Sequence, residues 1–259
     1  MRLEKYLADC GIGTRSQCKI YIRQGMISVN GEKVKNGAMQ VTKQDVVCFR
    51  EQILTTQENF CFMFHKPSGC ICATKDAAMK TVLDYFPKEL RPKLRIVGRL
   101  DKDTEGLLLL TDDGTLIHRL MSPKKHVPKT YYFRAYGELV PDACDLVKNG
   151  MDIGDEKPTK PGTLENLTVD REVAAQTEAY DEKARPAVQP EKVISSGYLT
   201  ISEGRFHQVK RMLHVMGCEV FYLKRISIGN LMLDEKLGQG EYRALAEEEY
   251  QMLFHESEN

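Results

Sequence analysis

A two-part α+β protein is what the sequence predicts, and three observations carry the prediction. The first 50 residues read as two short helices followed by a hairpin. From Phe60 onward, strand-like and helix-like pieces alternate without a regular strand-helix repeat. Between the two lies a polar stretch, residues 51–59, without turn chemistry. Irregular alternation of this kind points to a largely antiparallel sheet rather than a doubly wound parallel one. With 259 residues and 42% hydrophobic content, the chain has material for a core that needs neither metal nor disulfide.

In the first part, Leu3, Tyr6 and Leu7 fall on one helical stripe, which Gly11 and Gly13 end. Thr14 is a candidate N-cap for a second helix. There Cys18, Ile20 and Ile22 alternate with Arg15, Lys19 and Arg23 until Gly25 supplies the stop. Residues 26–29 and 32–34 then flank Asn30-Gly31, a strong two-residue hairpin signal because both residues tolerate positive φ. Residues 51–59 are expected to be a linker, with the first domain spanning 1–50 and the second 60–255.

In the second part, regular elements are expected over residues 60–64, 81–86, 107–111, 131–136, 141–149, 193–202, 207–216 and 220–226. Residues 170–192 are poor in large apolar side chains and carry Pro186 and Pro190, which predicts a surface insertion. The eight cysteines show no C-x-x-C spacing and read as reduced and mostly buried, with Cys70 and Cys72 on one face of a strand. No run approaches the ~18 apolar residues of a membrane span and no signal peptide precedes the first helix, so a cytoplasmic protein without membrane partner is expected.

The formal net charge of zero is an average over unlike parts. Residues 1–60 carry nine Lys/Arg against six Asp/Glu, whereas residues 234–259 carry two against eight. Phosphate binding responds to local patches, so neutrality does not exclude RNA. His118, His126 and His207 lack the nucleophile of a recognisable hydrolase motif, and neither a Walker loop nor a dinucleotide fingerprint is present. No cofactor and no metal are expected.

Asp101 is the most informative side chain. It lies in Gly98-Arg99-Leu100-Asp101-Lys102-Asp103-Thr104-Glu105-Gly106, between Ile96-Val97 and four consecutive leucines, 107–110. A carboxylate on a glycine-bounded loop beside a buried strand suits the grip on a bound backbone. Residues 98–114 resemble the signature GRLDxxTxGLLLLTxDG of the RsuA/RluB/RluE/RluF group of bacterial ribosomal RNA pseudouridine synthases. Three further strings resemble the same group in the same order: His65-Lys66-Pro67-Ser68-Gly69, Val127-Pro128-Lys129-Thr130-Tyr131, and residues 203–212 with 223–229. The order of elements in residues 1–50 resembles an S4 RNA-binding domain.

That resemblance implies isomerisation of uridine to pseudouridine, in which the C1′–N1 bond is cleaved, the uracil turns, and C5 joins C1′. It assigns Asp101 as the catalytic carboxylate, Lys210 as its basic partner with Arg211 as the rival, and Tyr131 rather than Tyr132 as the ring stacked on uracil. Enclosing a carboxylate beneath a flipped base disfavours its charge, and a cation ~4 Å away offsets this by roughly 4 kcal/mol at an effective dielectric near 20. Arg15, Lys19 and Arg23 are expected to grip RNA from the first domain. Lys66, Arg99, Lys129, Arg205, His207, Gln208 and Arg211 are expected to contact it from the second. The absence of an N-terminal extension and the stretch 155–161 favour 16S rRNA, or an assembling small-subunit particle, as substrate of a monomeric enzyme. A 23S rRNA enzyme and a non-catalytic RNA-binding assembly factor are the alternatives.

Overall fold

The computed structural model describes residues 1–42, 44–54, 60–122, 127–170 and 193–253. Its contacts divide into two units, Met1–Asn59 and Phe60–Asn259. Most of the insertion expected at 170–192 lies outside the described residues.

In the first unit, α1 (Leu3–Asp9) and α2 (Arg15–Arg23) precede four short antiparallel strands: β1 (Ile27–Val29), β2 (Glu32–Lys33), β3 (Val47–Phe49) and β4 (Gln52–Leu54). The sheet order is β2-β1-β3-β4. Thr14 and Gln17 form a reciprocal capping box that satisfies two otherwise orphaned amides at the start of α2. Leu3, Tyr6, Leu7, Cys18, Ile22 and Ile27 close the core, whereas Ile20 is exposed. Residues 52–54, expected to be linker, instead belong to this unit, and the Tyr6 hydroxyl donates to the Leu54 carbonyl at 3.1 Å. The turn before β4 places Arg50 and Glu51 at positive φ, a hairpin made without the Gly or Asn that would have signalled it.

The second unit contains β5 (Cys61–Lys66), β6 (Arg95–Val97), β7 (Glu105–Thr111), α3 (Gly114–Met121), β8 (Lys129–Tyr136), α4 (Ala143–Asn149), β9 (Thr163–Asp170), β10 (Ile194–Ile201), α5 (Gln208–Val215), β11 (Glu219–Ile228), β12 (Leu231–Met232), β13 (Tyr242–Ala244) and α6 (Glu247–Met252). Seven of the strands run in the order β13-β5-β7-β11-β8-β10-β9, with β6 beside β7 and β12 beside β11. Among the strands of the described residues, only β7 and β11 pair in parallel; the architecture is α+β with a largely antiparallel mixed sheet.

Strand β7 explains the leucine run. Leu108 and Leu110 enter one core with Phe64, Phe133, Val147 and Met212, whereas Leu107 and Leu109 enter a second core with Met63, Leu116 and Leu120. Successive strand residues point to opposite faces, so a strand covered on both sides has no use for polar alternation. A Cβ on Gly106 would lie 2.2 Å from the Arg225 carbonyl oxygen, so glycine alone permits the approach of β7 to β11. Cys70 and Cys72 lie outside any strand, which corrects the strand expected there. Cys70 donates to the Pro67 carbonyl, and Cys72 accepts the Leu100 amide at 3.3 Å. All eight cysteines are free and four are buried, a smaller share than expected. No helix among the described residues is long and apolar enough to cross a membrane.

Candidate active site

The loop joining β6 to β7 carries Asp101, and its shape is held from below by a lysine. Gly98 starts it at φ +74°, in the left-handed region that glycine favours. The Gly69 amide donates to the Lys102 carbonyl at 2.9 Å, and the Thr104 amide to that of Asp101 at 3.2 Å. Lys66, at the end of β5, is fully buried, and its Nζ donates to the carbonyls of Pro67, Lys102 and Thr104 at 3.1, 3.1 and 2.9 Å. Burial pushes its ammonium below the usual lysine range. Lys66 therefore cannot meet RNA as expected; its three protons are committed to the loop backbone. Removing a buried charged donor strips one hydrogen bond from each of three carbonyls, two of which keep a second donor from Gly69 and Cys70, so Lys66→Met is expected to lower unfolding stability by roughly 2–4 kcal/mol, read by denaturant titration. A change below 0.5 kcal/mol, the usual range of surface substitutions at about ±0.5, would deny it that role.

Asp101 opens onto a cavity of about 600 Å³, within the span of roughly 300–1,000 Å³ common for small-ligand sites. Lys210 Nζ lies 3.8 Å from its Oδ2, and His207 Nε2 lies 3.6 Å from its Oδ1. The ammonium is nevertheless closer to Asp103, 2.6 Å from each oxygen. Two carboxylates thus share Lys210, and His207, expected to contact RNA, also faces Asp101. His207 adopts positive φ ahead of α5. Its ring stacks on Phe206 at 3.9 Å between centroids. Phe206 itself is 77% exposed.

Tyr131 lines the same cavity and is 8% exposed. Tyr132 points to the other face of β8, where its ring meets Tyr198 and Tyr222. Arg99 is exposed beside Asp101 and also lines the cavity. Lys129 lines it from the start of β8. Arg15, Lys19 and Arg23 project from α2 in the first unit, where Lys19 and Arg23 share a recess with Lys35 and Glu4.

Three of the residues expected to contact RNA have partners within the protein, and two of them, Arg205 and Gln208, also line the cavity. Arg211 donates to both Asp155 oxygens and to the carbonyls of Ile153 and Phe206, which also removes it as rival to Lys210. Arg205 is taken up by Asp155, Glu203 and the carbonyls of Lys157 and Pro158. Gln208 is 3% exposed, accepting from the Arg205 amide and donating to Glu203. The partners lie up to 58 residues away, so spacing gave no sign of them. Phe206 and Arg225, conversely, received no role from the sequence. Both lie in the strings 203–212 and 223–229 that resemble the family, and that was the available signal for each.

Comparison with known proteins follows the same division. Residues 60–215 match the family described as RNA pseudouridylate synthase, and residues 1–47 match the S4 domain. The chain is 39% identical over 255 residues to a protein of Haemophilus influenzae named ribosomal small subunit pseudouridine synthase A, covering 98% of this chain and 99% of the relative. It is 40% identical over 256 residues to an uncharacterized RNA pseudouridine synthase of Bacillus subtilis, covering 98% of each. A crystal structure of a pseudouridylate synthase superposes with TM-score 0.62 at 38% identity, covering 98% of this chain and 99% of that one.

Proposed function

The chain belongs to the RNA pseudouridylate synthase family, and from that premise we propose that it converts a specific uridine of 16S ribosomal RNA to pseudouridine. The observation that supports Asp101 as the catalytic carboxylate is its position on a buttressed loop, opening onto the cavity that Tyr131, His207 and Lys210 also line. The full-length likeness to small-subunit enzymes supports the choice of RNA.

In this reading a carboxylate oxygen of Asp101 acts at the sugar, either attacking C1′ or removing a ribose proton. Tyr131 stacks on the uracil and assists loss of the C5 proton. The uridine must first leave its stack, at a cost of a few kcal/mol. Exposed Phe206 offers a replacement stacking partner beside the cavity, worth about 1–3 kcal/mol per base. Arg15, Lys19 and Arg23 on α2 supply the phosphate grip that offsets the rest. No cofactor enters this scheme, which is written for a monomer acting in the cytoplasm on RNA or on an assembling particle.

Pseudouridine mapping across rRNA from cells with and without the protein tests the proposal. One 16S position is expected to revert to uridine when the protein is absent. A change confined to 23S rRNA would move the substrate to the large subunit, and no change in any rRNA would overturn the proposal.

A further inference from the structure

Two cations on the wall of the Asp101 cavity, Arg225 buried and Lys129 half-buried, have no part in the scheme above. Lys129 Nζ donates to the Val127 carbonyl at 2.7 Å. Arg225 is 2% exposed, and its Nε donates to the Leu107 carbonyl at 2.8 Å. Its Nη2 is buried without a hydrogen-bond partner among the described residues. Both side chains line the cavity, and neither forms an ion pair with a described carboxylate. Burial, and then the Arg225 charge, push the Lys129 ammonium down to about 8. A buried guanidinium with an unused donor, next to a second, half-buried cation, is costly unless something negative arrives to meet it.

The uridine substrate brings no charge on its base, but the isomerisation creates one. When the C1′–N1 bond breaks, its electron pair stays with the uracil, and the charge spreads from N1 onto O2 and O4. We propose that Lys129 and Arg225 are catalytic residues that stabilise this detached uracil anion, an inference that rests on the pseudouridine synthase reading above. Asp101 acts on the sugar while the two cations face the leaving base. Because the ring must turn before C5 reaches C1′, a surface of two charges serves it better than one fixed hydrogen-bond pair: attraction to the delocalised anion persists through the rotation. The C5–C1′ bond then forms, C5 gives up its proton, and N1 takes one, so no oxidant or further reactant is needed. A backbone phosphate is a poorer occupant, since Arg225 is almost wholly withdrawn from solvent.

Single-turnover pseudouridine formation by the full chain on transcribed 16S rRNA tests the assignment. Lys129→Gln and Arg225→Gln are each expected to slow the chemical step by about 100-fold or more, as removal of a donor to a developing anion does, while RNA affinity stays within a few-fold. A pH profile adds a signature that a packing role would not produce. The titratable and charged groups that line the cavity with Lys129 are Arg225 on β11, Arg99, Asp101 and Lys102 on the loop, Cys72, and Arg205, His207 and Lys210 at α5, with Tyr131 alongside on β8. A lysine whose folded value is lowered is cationic below that value and neutral above it, so the wild-type rate should fall as pH rises through about 8. Lys129→Arg, charged throughout, should remove that fall and keep more activity than Lys129→Gln. If Arg225→Gln fails to fold, Arg225→Lys and the Lys129 pair of variants decide.

The inference is overturned if the neutral variants turn over at the wild-type rate, or if they lose affinity and salt dependence with the single-turnover rate intact, which is the mark of a phosphate contact. It is equally overturned if Lys129→Arg keeps the wild-type pH profile. Wild-type turnover in the same reactions separates this failure from that of the underlying reading: an active wild type with unaffected variants sinks only the cation pair, whereas an inactive wild type sinks the substrate proposal and this inference with it.

Discussion

Asp101→Asn is expected to abolish pseudouridine formation, by about 10⁴-fold or more, while RNA affinity stays within a few-fold of wild type. The amide keeps the shape of the side chain but neither attacks C1′ nor takes a ribose proton. The loop does not depend on that side chain, since it is held through the carbonyls of Lys102 and Thr104 and the Leu100 amide. Removing one carboxylate from a phosphate-dominated contact changes affinity little. Single-turnover kinetics and filter binding on the same protein separate the two quantities. A variant that retains wild-type turnover would remove Asp101 from the chemistry and transfer the search to the other groups around the cavity.

The position of the Asp101 loop was legible because local signals agree: glycines at both ends, a basic run, and a leucine strand too apolar to be anything but buried. The N-cap at Thr14 and the Asn30-Gly31 hairpin were legible for the same reason, as each rests on residues within three or four positions; the reciprocal bond from Gln17 was not read. Long-range use of a side chain was not. Lys66, Arg205, Gln208 and Arg211 have the composition of an RNA-binding face, yet each spends its donors inside the protein. A charged residue in a basic string reads alike whether it meets phosphate or a carbonyl 38 residues away. Arg225 shows the converse limit: in a ten-residue strand it looks like one more alternating polar position, and only the cavity reveals its unused donor.

Lys210→Met is expected to slow single-turnover pseudouridine formation by about 100-fold or more, less than the loss at Asp101. The Coulomb scale for charges ~4 Å apart, roughly 4 kcal/mol at an effective dielectric of 20, corresponds to about three decades. The full value is not expected here. Both partners keep some solvent contact, which screens the pair, and His207 remains 3.6 Å from Asp101. Asp103 complicates the assignment, because it holds the ammonium more closely than Asp101 does. That competition supplies the control. Asp103→Asn leaves Asp101 as the remaining carboxylate partner of Lys210, so turnover should be maintained or rise, whereas a lysine that mattered only for bracing Asp103 would make Asp103→Asn as damaging as Lys210→Met. Lys210→Arg should fall between wild type and Met, since the larger planar guanidinium keeps the charge but bridges the two carboxylates in a different geometry. Equal losses for Met and Arg would mean that the shape of this side chain, rather than its charge, serves Asp101.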